Sequence, residues 1–269
     1  MKKILLITRP ISPPWDEASK NFAYFIAKNV RDVEINLMSV KTLPEMPENV
    51  KQHHVYTKAE IVDFDLTQKL KSLLFQFLMR GKSDVNHYFF TPTKLNSFLI
   101  KKFLTSNKTK TIQTIATLRE DLWSDSDMKK LLFGDLIITY SDYAKNKLHS
   151  LGFNNVTRIY PGIDLDKYRL EPKDDDILKL FGIKPSDFVV AYPGEYVRLG
   201  ATDDIVSMLP DLFKKIPNAK FVFANRVKNE KDAQKKAEII EKFKTQGILE
   251  KIVFTDTFSD MKKFSTCQT

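Results

Sequence analysis

Short apolar runs and longer stretches with apolar residues every three or four positions take turns along this 269-residue chain. The first period fits buried strands and the second fits helices packed on them. "KILLIT" predicts a strand, and "ASKNFAYFIAKNV" a helix with Phe22, Phe25, Ile26 and Val30 on one side. "DVEINLMSV" predicts a second strand and "HHVYT" a third, after the proline-marked loop "TLPEMPENV". A helix from about Leu66 to Met79 follows, then a strand in "SDVNHYFF", a helix in "TKLNSFLIKKFLT" and strands in "KTIQTIAT" and "DLIITY". "SDYAKNKLHSLG" predicts a helix and "VTRIYPGID" a short strand ending in a turn. Such alternation predicts parallel sheets covered by helices on both faces.

Charge and proline replace apolar periodicity in "DLDKYRLEPKDDDILKLFGIKPSD", which marks a boundary. The alternation then restarts with "FVVAYPG" as a strand, "DDIVSMLPDLFKKI" as a helix, "AKFVFANR" as a strand, "EKDAQKKAEIIEKFKTQG" as a helix and "KIVFTD" as a strand. "DMKKF" suggests one more short helix. Two domains are expected, residues 1–168 and 169–269, the second with only three clear strands and therefore incomplete.

Composition narrows the setting. Hydrophobic residues make up 42% and charged residues 29%, an ordinary globular balance without a disorder signature. Leu73 to Met79, "LLFQFLM", is the longest nearly unbroken apolar run, and Gln76 interrupts it. That is far short of the roughly 20 residues a membrane-crossing helix needs. One cysteine, Cys267, rules out an intramolecular disulfide framework and a multi-cysteine metal site, so the expected location is the cytoplasm. His53, His54, His87 and His149 show no metal-ligand spacing, and neither a metal nor another cofactor is expected. Residues 1–170 hold 26 Lys/Arg against 18 Asp/Glu, whereas residues 171–269 hold 17 against 16. The basic first part suits an anionic or membrane-borne partner, including contact at the inner face of a membrane through "QKLKSLLFQFLMRGK", although a core helix explains that stretch equally well. No nucleic-acid recognition module is present, so no nucleic acid is expected as partner.

Two stretches carry a resemblance. "DLIITYSDYAKNKLHSLGFNNVTRIYPGIDLDKY" resembles the segment joining the two domains of the large group of retaining glycosyltransferases that use nucleotide sugars, through Ser141, "LGF" at 151–153, Gly162, Asp164 and Tyr168. "VVAYPGEYVRLGATDDIV", "IPNAKFVFANR" and "GILEKIVFTDTFSDM" resemble the first part of that group's nucleotide-sugar domain. The resemblance implies two Rossmann-like, doubly wound parallel-sheet domains facing a cleft, with a glycan or lipid-linked acceptor on the first and the nucleotide sugar on the second.

It also implies sites. The turn after "FVVAY" places Gly194, Glu195, Arg198 and Gly200 at the donor phosphates, with Arg226 and Lys228 after the next strand. Glu195 and Leu199 stand where the group commonly has cations, which leaves Arg198, Arg226 and Lys228 to neutralise the diphosphate. Gly194 and Gly200 are expected to be small so that backbone can approach a ligand. On the acceptor side the resemblance points to Glu17, Ser19 and Asn21 before the first helix, where Ser19 is a candidate cap, and to Arg119 and Glu120 after "TIQTIAT". A histidine common at that second place is absent, and Thr117 stands in the region instead. His87 is expected as a hydrogen-bonded strand-end residue. The paired-glutamate segment that holds donor hydroxyls in the group has no counterpart in "STCQT", so the chain is expected to be a fragment, or impaired in donor binding. A non-catalytic binding protein of this fold and a sugar-nucleotide epimerase stand as alternatives.

Overall fold

Strand β1, Lys2–Ile11, lies third from one edge of a seven-stranded sheet with β2 (Val33–Ser39), β3 (Val50–His54), β4 (Val85–Tyr88), β5 (Lys110–Ile115), β6 (Leu136–Thr139) and β7 (Val156–Arg158). All neighbours are parallel, in the order β3-β2-β1-β4-β5-β6-β7. The computed structural model describes residues 1–13, 18–58, 65–90, 93–162, 164–165, 174–197, 201–225, 227 and 229–255. The chain divides into two units, Met1–Gly162 and Ile163–Thr269.

In the first unit the chain winds outward from β1 to β3 and then returns to β4 on the other side. This reversal makes the sheet doubly wound and puts a topological switch point between β1 and β4, where ligands of open parallel sheets sit. Alternate residues of β1 serve opposite faces. Leu5 and Ile7 pack with Met38, Tyr56 and Tyr88, while Leu6 packs with Ala23, Ala27, Ile35, Leu37 and Phe89. The helices are α1 (Ala18–Asn29), α2 (Leu66–Leu78), α3 (Lys94–Leu99), α4 (Asp125–Leu131) and α5 (Asp142–Ser150). Side chains of Asp65, Thr93, Ser124 and Ser141 cap the last four by accepting from amides three residues on.

Three local expectations need correction. β3 runs Val50–His54 rather than over His53–Thr57: it pairs with β2 from Val50, opposite Ile35, and ends where Val55 N bonds back to His53 O and Tyr56 turns its hydroxyl to the Thr8 carbonyl at 2.6 Å. The predicted helix "TKLNSFLIKKFLT" is α-helical only through Leu99 and widens into a π-helical turn, Ile100–Leu104. Helix α4 was not anticipated, yet β5 and β6 are parallel and so require a crossover.

α2 presents its residues against the usual rule. Gln68, Ser72 and Gln76 are buried, while Leu66, Leu70, Leu74, Phe77 and Leu78 are each more than half exposed. Hydrogen bonds hold the inward polar stripe: Gln68 Nε2 donates to Thr57 Oγ1 at 2.8 Å, and Gln76 Nε2 to Ser72 Oγ at 3.1 Å.

The second unit is a three-stranded parallel sheet, β8 (Phe188–Tyr192), β9 (Ala219–Phe223) and β10 (Ile252–Phe254), in the order β10-β9-β8. Helix α6 (Asp175–Leu180) lies in the stretch read as a boundary. Its Leu178 packs with Ile183 and Val222 on one sheet face, so this segment belongs to the second core. On the other face α7 (Ala201–Lys215) and α8 (Glu230–Thr245) bury Val206, Leu209, Phe213, Ile239 and Phe243 against Phe221 and Phe223. The helix suggested in "DMKKF" falls outside the described residues.

Candidate functional site

The carboxyl ends of the second sheet are stitched together beyond the last strand residues. Ala224 N donates to Tyr192 O at 3.0 Å, and Thr255 N to Phe223 O at 2.9 Å. Between them Asn225, fully buried, accepts from Gly194 N at 3.0 Å through Oδ1. An amide oxygen is required opposite an N–H, which fixes the orientation of the side chain and leaves Nδ2 as a donor with no hydrogen-bond partner. Such a buried donor is costly unless a ligand or water meets it. The loop after β8 is held from its other end by Thr202 Oγ1, which donates to Glu195 O at 2.6 Å from the first turn of α7.

Gly194 has a reason for its size that the sequence did not show. A Cβ there would collide with Tyr192 Cζ and come within 2.5 Å of its hydroxyl oxygen, so the outer end of the Tyr192 ring lies against the turn. Acidic residues crowd the helix starts: Asp203 and Asp204 in the first turn of α7, Glu230 and Asp232 in that of α8. They complement the helix dipoles but oppose a phosphate. Asp203 is ion-paired to Lys235 at 2.7 Å. Any anion at this edge therefore depends on added cations. The candidates Arg198, Arg226 and Lys228, together with Gly200, lie outside the described residues.

Asn225 was missed in the sequence because asparagine after a strand reads as an ordinary turn residue. Replacing Asn225 with alanine strips the Gly194 amide of its acceptor and should lower the stability of the second unit by about 1–3 kcal/mol. A urea midpoint shifted down at unchanged slope would show it, and an unchanged midpoint would not fit the observed bond.

In the first unit the candidates are more scattered. Glu17 lies outside the described residues. Ser19 is the second described residue of α1, and residues 14–17 just before the helix lie outside the described residues. Asn21 is half-buried in the same turn, beside Phe22, whose ring meets Phe89 and Tyr140 edge-on. These rings tie the start of α1 to the carboxyl ends of β4 and β6. After β5, Arg119 grips Asp121 with both arms of its fork, at 2.8 and 2.6 Å. Glu120 accepts from Tyr143 Oη at 2.6 Å and lies 3.6 Å from Lys147 Nζ. An acceptor anion would have to take Arg119, whose side chain is 22% exposed, from a bidentate hold on the more exposed Asp121.

His87 is buried in β4, joined to Thr114 Oγ1 at 2.7 Å through Nε2 and stacked on Phe89 at 3.8 Å. Burial pushes its pKa down to about 3. It is a neutral packing and hydrogen-bonding residue, as its strand-end position led one to expect. His53 is similarly committed, to Asn36 Oδ1 at 2.8 Å. Among the described residues no three acidic, histidine or cysteine side chains gather where they could hold a metal ion.

No protein-family model matches the sequence, and no curated protein matches it. Solved structures do match in fold. HepE of Anabaena, in complex with UDP and glucose, is 16% identical with a TM-score of 0.67, over 99% of this chain and 72% of its own. A glycosyltransferase from Rickettsia africae is 14% identical with a TM-score of 0.65, over 98% of this chain and 70% of its own. The catalytic domain of starch synthase IV from Arabidopsis thaliana, bound to ADP and acarbose, is 12% identical with a TM-score of 0.62, over 98% and 76%. The chain has the Rossmann-like α/β fold of B-type glycosyltransferases.

Proposed function

We propose that this protein is a glycosyltransferase that moves a sugar from a nucleoside-diphosphate sugar to a glycan or lipid-linked acceptor, working in the cytoplasm. The observation that carries this reading is a fold likeness running through almost the whole chain to structures whose complexes hold UDP, UDP-glucose or ADP. Fold alone does not name a reaction, so the local chemistry has to agree. What supports the reading at the second sheet is the buried Asn225, which holds the β8 turn through Gly194 N and leaves a spare donor at the strand ends, while the acidic starts of α7 and α8 make it depend on the cations of the neighbouring loops.

In this reading the second unit takes the donor. Backbone around Gly194 and Gly200 lines the diphosphate, and Arg198, Arg226 and Lys228 offset both its charge and the charge that grows on the leaving nucleotide. On the first unit Glu17, Ser19, Asn21, Arg119 and Glu120 would orient the acceptor, so that catalysis rests on positioning as well as on charge.

Binding needs only the donor, and it raises the stability of the folded state by mass action. A nucleoside-diphosphate sugar at about a hundred times its Kd should add about 2.7 kcal/mol, visible as a rise of several degrees in Tm. UDP-glucose and ADP-glucose are the first probes. A melting temperature that no nucleotide sugar moves would count against the proposal.

A further inference from the structure

The outward side of α2 and its neighbour, the α3 helix with its π-helical turn, is apolar and basic at once. Leu70, Leu74, Phe77 and Leu78 from the first and Phe98 and Phe103 from the second are all 46% exposed or more. Both elements pack on the same sheet face: Leu73, Phe75 and Met79 share a core with Ile100 and Leu104, and Arg80 Nε donates to Thr105 O at 3.1 Å. Their outer sides therefore look the same way. Exposed clusters of large apolar side chains on one face are uncommon on soluble monomers and mark contact surfaces.

The inversion of α2 is built in. A helix with its polar stripe outward would have placed these leucines in the core, yet Gln68 and Ser72 are buried and bonded there instead. Asp65 fixes that orientation by accepting from Gln68 N at 2.8 Å.

Charge selects the partner. Lys69 and Lys71 on α2 and Lys94, Lys101 and Lys102 on α3 and its π-helical turn are joined by no Asp or Glu within these elements, and of the five Lys94 is ion-paired to Asp127 of α4 at 2.7 Å. Lys102 lies over the Phe98 and Phe103 rings at 5.5 and 5.4 Å, so cations sit within the apolar patch itself. A second copy docking face to face would bring like charges together. An anionic bilayer surface answers both features, taking the apolar side chains among its acyl chains and the lysines at its headgroups. At 13 residues α2 is too short to cross, and no helix among the described residues is long and apolar enough to do so. We infer that the outer face of α2 and α3 docks this protein flat on a membrane rich in anionic phospholipid.

The test is co-sedimentation of the full chain with vesicles of phosphatidylcholine alone or mixed with phosphatidylglycerol. The chain should pellet with the mixed vesicles and stay in solution with the neutral ones. Leu74→Glu with Phe77→Glu, and separately Lys69→Glu with Lys71→Glu, should each weaken partitioning by about tenfold or more while leaving Tm unchanged, since all four side chains are exposed. Three results would overturn the inference: no pelleting with anionic vesicles, undiminished partitioning of both variants, or a dimer in ultracentrifugation that Leu74→Glu with Phe77→Glu turns into a monomer. The last would give the face to a second copy.

Discussion

Between pH 6.5 and about pH 3 this protein should lose stability through one histidine. His87 titrates at about 3 in the folded chain, against 6.5 when unburied. Below 6.5 the unfolded chain therefore takes up a proton that the folded chain refuses, and stability falls as pH falls. The full window corresponds to about 4–5 kcal/mol, a large part of the roughly 5–15 kcal/mol that holds a typical domain. Glu34, Asp65, Asp84 and Asp127 are also held below their usual range, by Lys51, the Gln68 amide, the Lys3 amide and Lys94 first of all. Their stabilisation too is lost on acidification. A His87→Gln variant separates the two effects, because it keeps a polar group near Thr114 but does not titrate. The variant should be less stable at neutral pH, and its deficit should shrink steadily as pH falls toward 3. Curves that stay parallel through that range would mean His87 protonates without penalty, contrary to its burial.

Replacing Arg226 and Lys228 together with alanine should reduce nucleotide-sugar affinity about a hundredfold or more. Each charge-assisted bond to a phosphate contributes about 1.5–3 kcal/mol, and the acidic first turns of α7 and α8 leave this edge dependent on such cations. Lys214→Ala with Lys215→Ala removes the same charge from the last turn of α7, at the opposite end of that helix. That pair should leave affinity unchanged. If both pairs weaken binding alike, the effect is one of overall field and the assignment of Arg226 and Lys228 fails.

Most of the fold could be read from the sequence because the apolar runs were clean. β1 carries the aliphatic run Ile4–Ile7, buried from Leu5 on, β2 buries Ile35, Leu37 and Met38, and β8 is the short apolar run Phe188–Tyr192, the kind of stretch that parallel sheets with helices on either side produce. α4 escaped because its seven residues supply only Met128 and Leu131 to the core. Its signal was the cap, Ser124 with Asp127 three residues on. α2 misled in the opposite sense. Its period is helical, but periodicity says nothing of which side faces in, and here buried hydrogen bonds outrank apolar content.

The candidate site was legible as position and less so as chemistry. Gly194 and Glu195 do stand at a strand's carboxyl end, yet the residue that holds Gly194, Asn225, lies just beyond the next strand and is brought there by the parallel pairing of β8 with β9. Pairing between strands some 30 residues apart is a tertiary fact that no local pattern announces. Gly194 likewise has the outer end of the Tyr192 ring, two residues away, lying against it, a contact that local sequence pattern does not announce.

The proposed activity requires that the second unit hold a nucleotide sugar. Titration of UDP-glucose and other nucleoside-diphosphate sugars into the full chain by calorimetry measures this directly. Saturable binding of one molecule per chain, lost in the Arg226→Ala, Lys228→Ala protein and kept in the Lys214→Ala, Lys215→Ala protein, is the predicted result. Folded protein that gives no heat of binding with any donor, or that binds as well without Arg226 and Lys228, would contradict it.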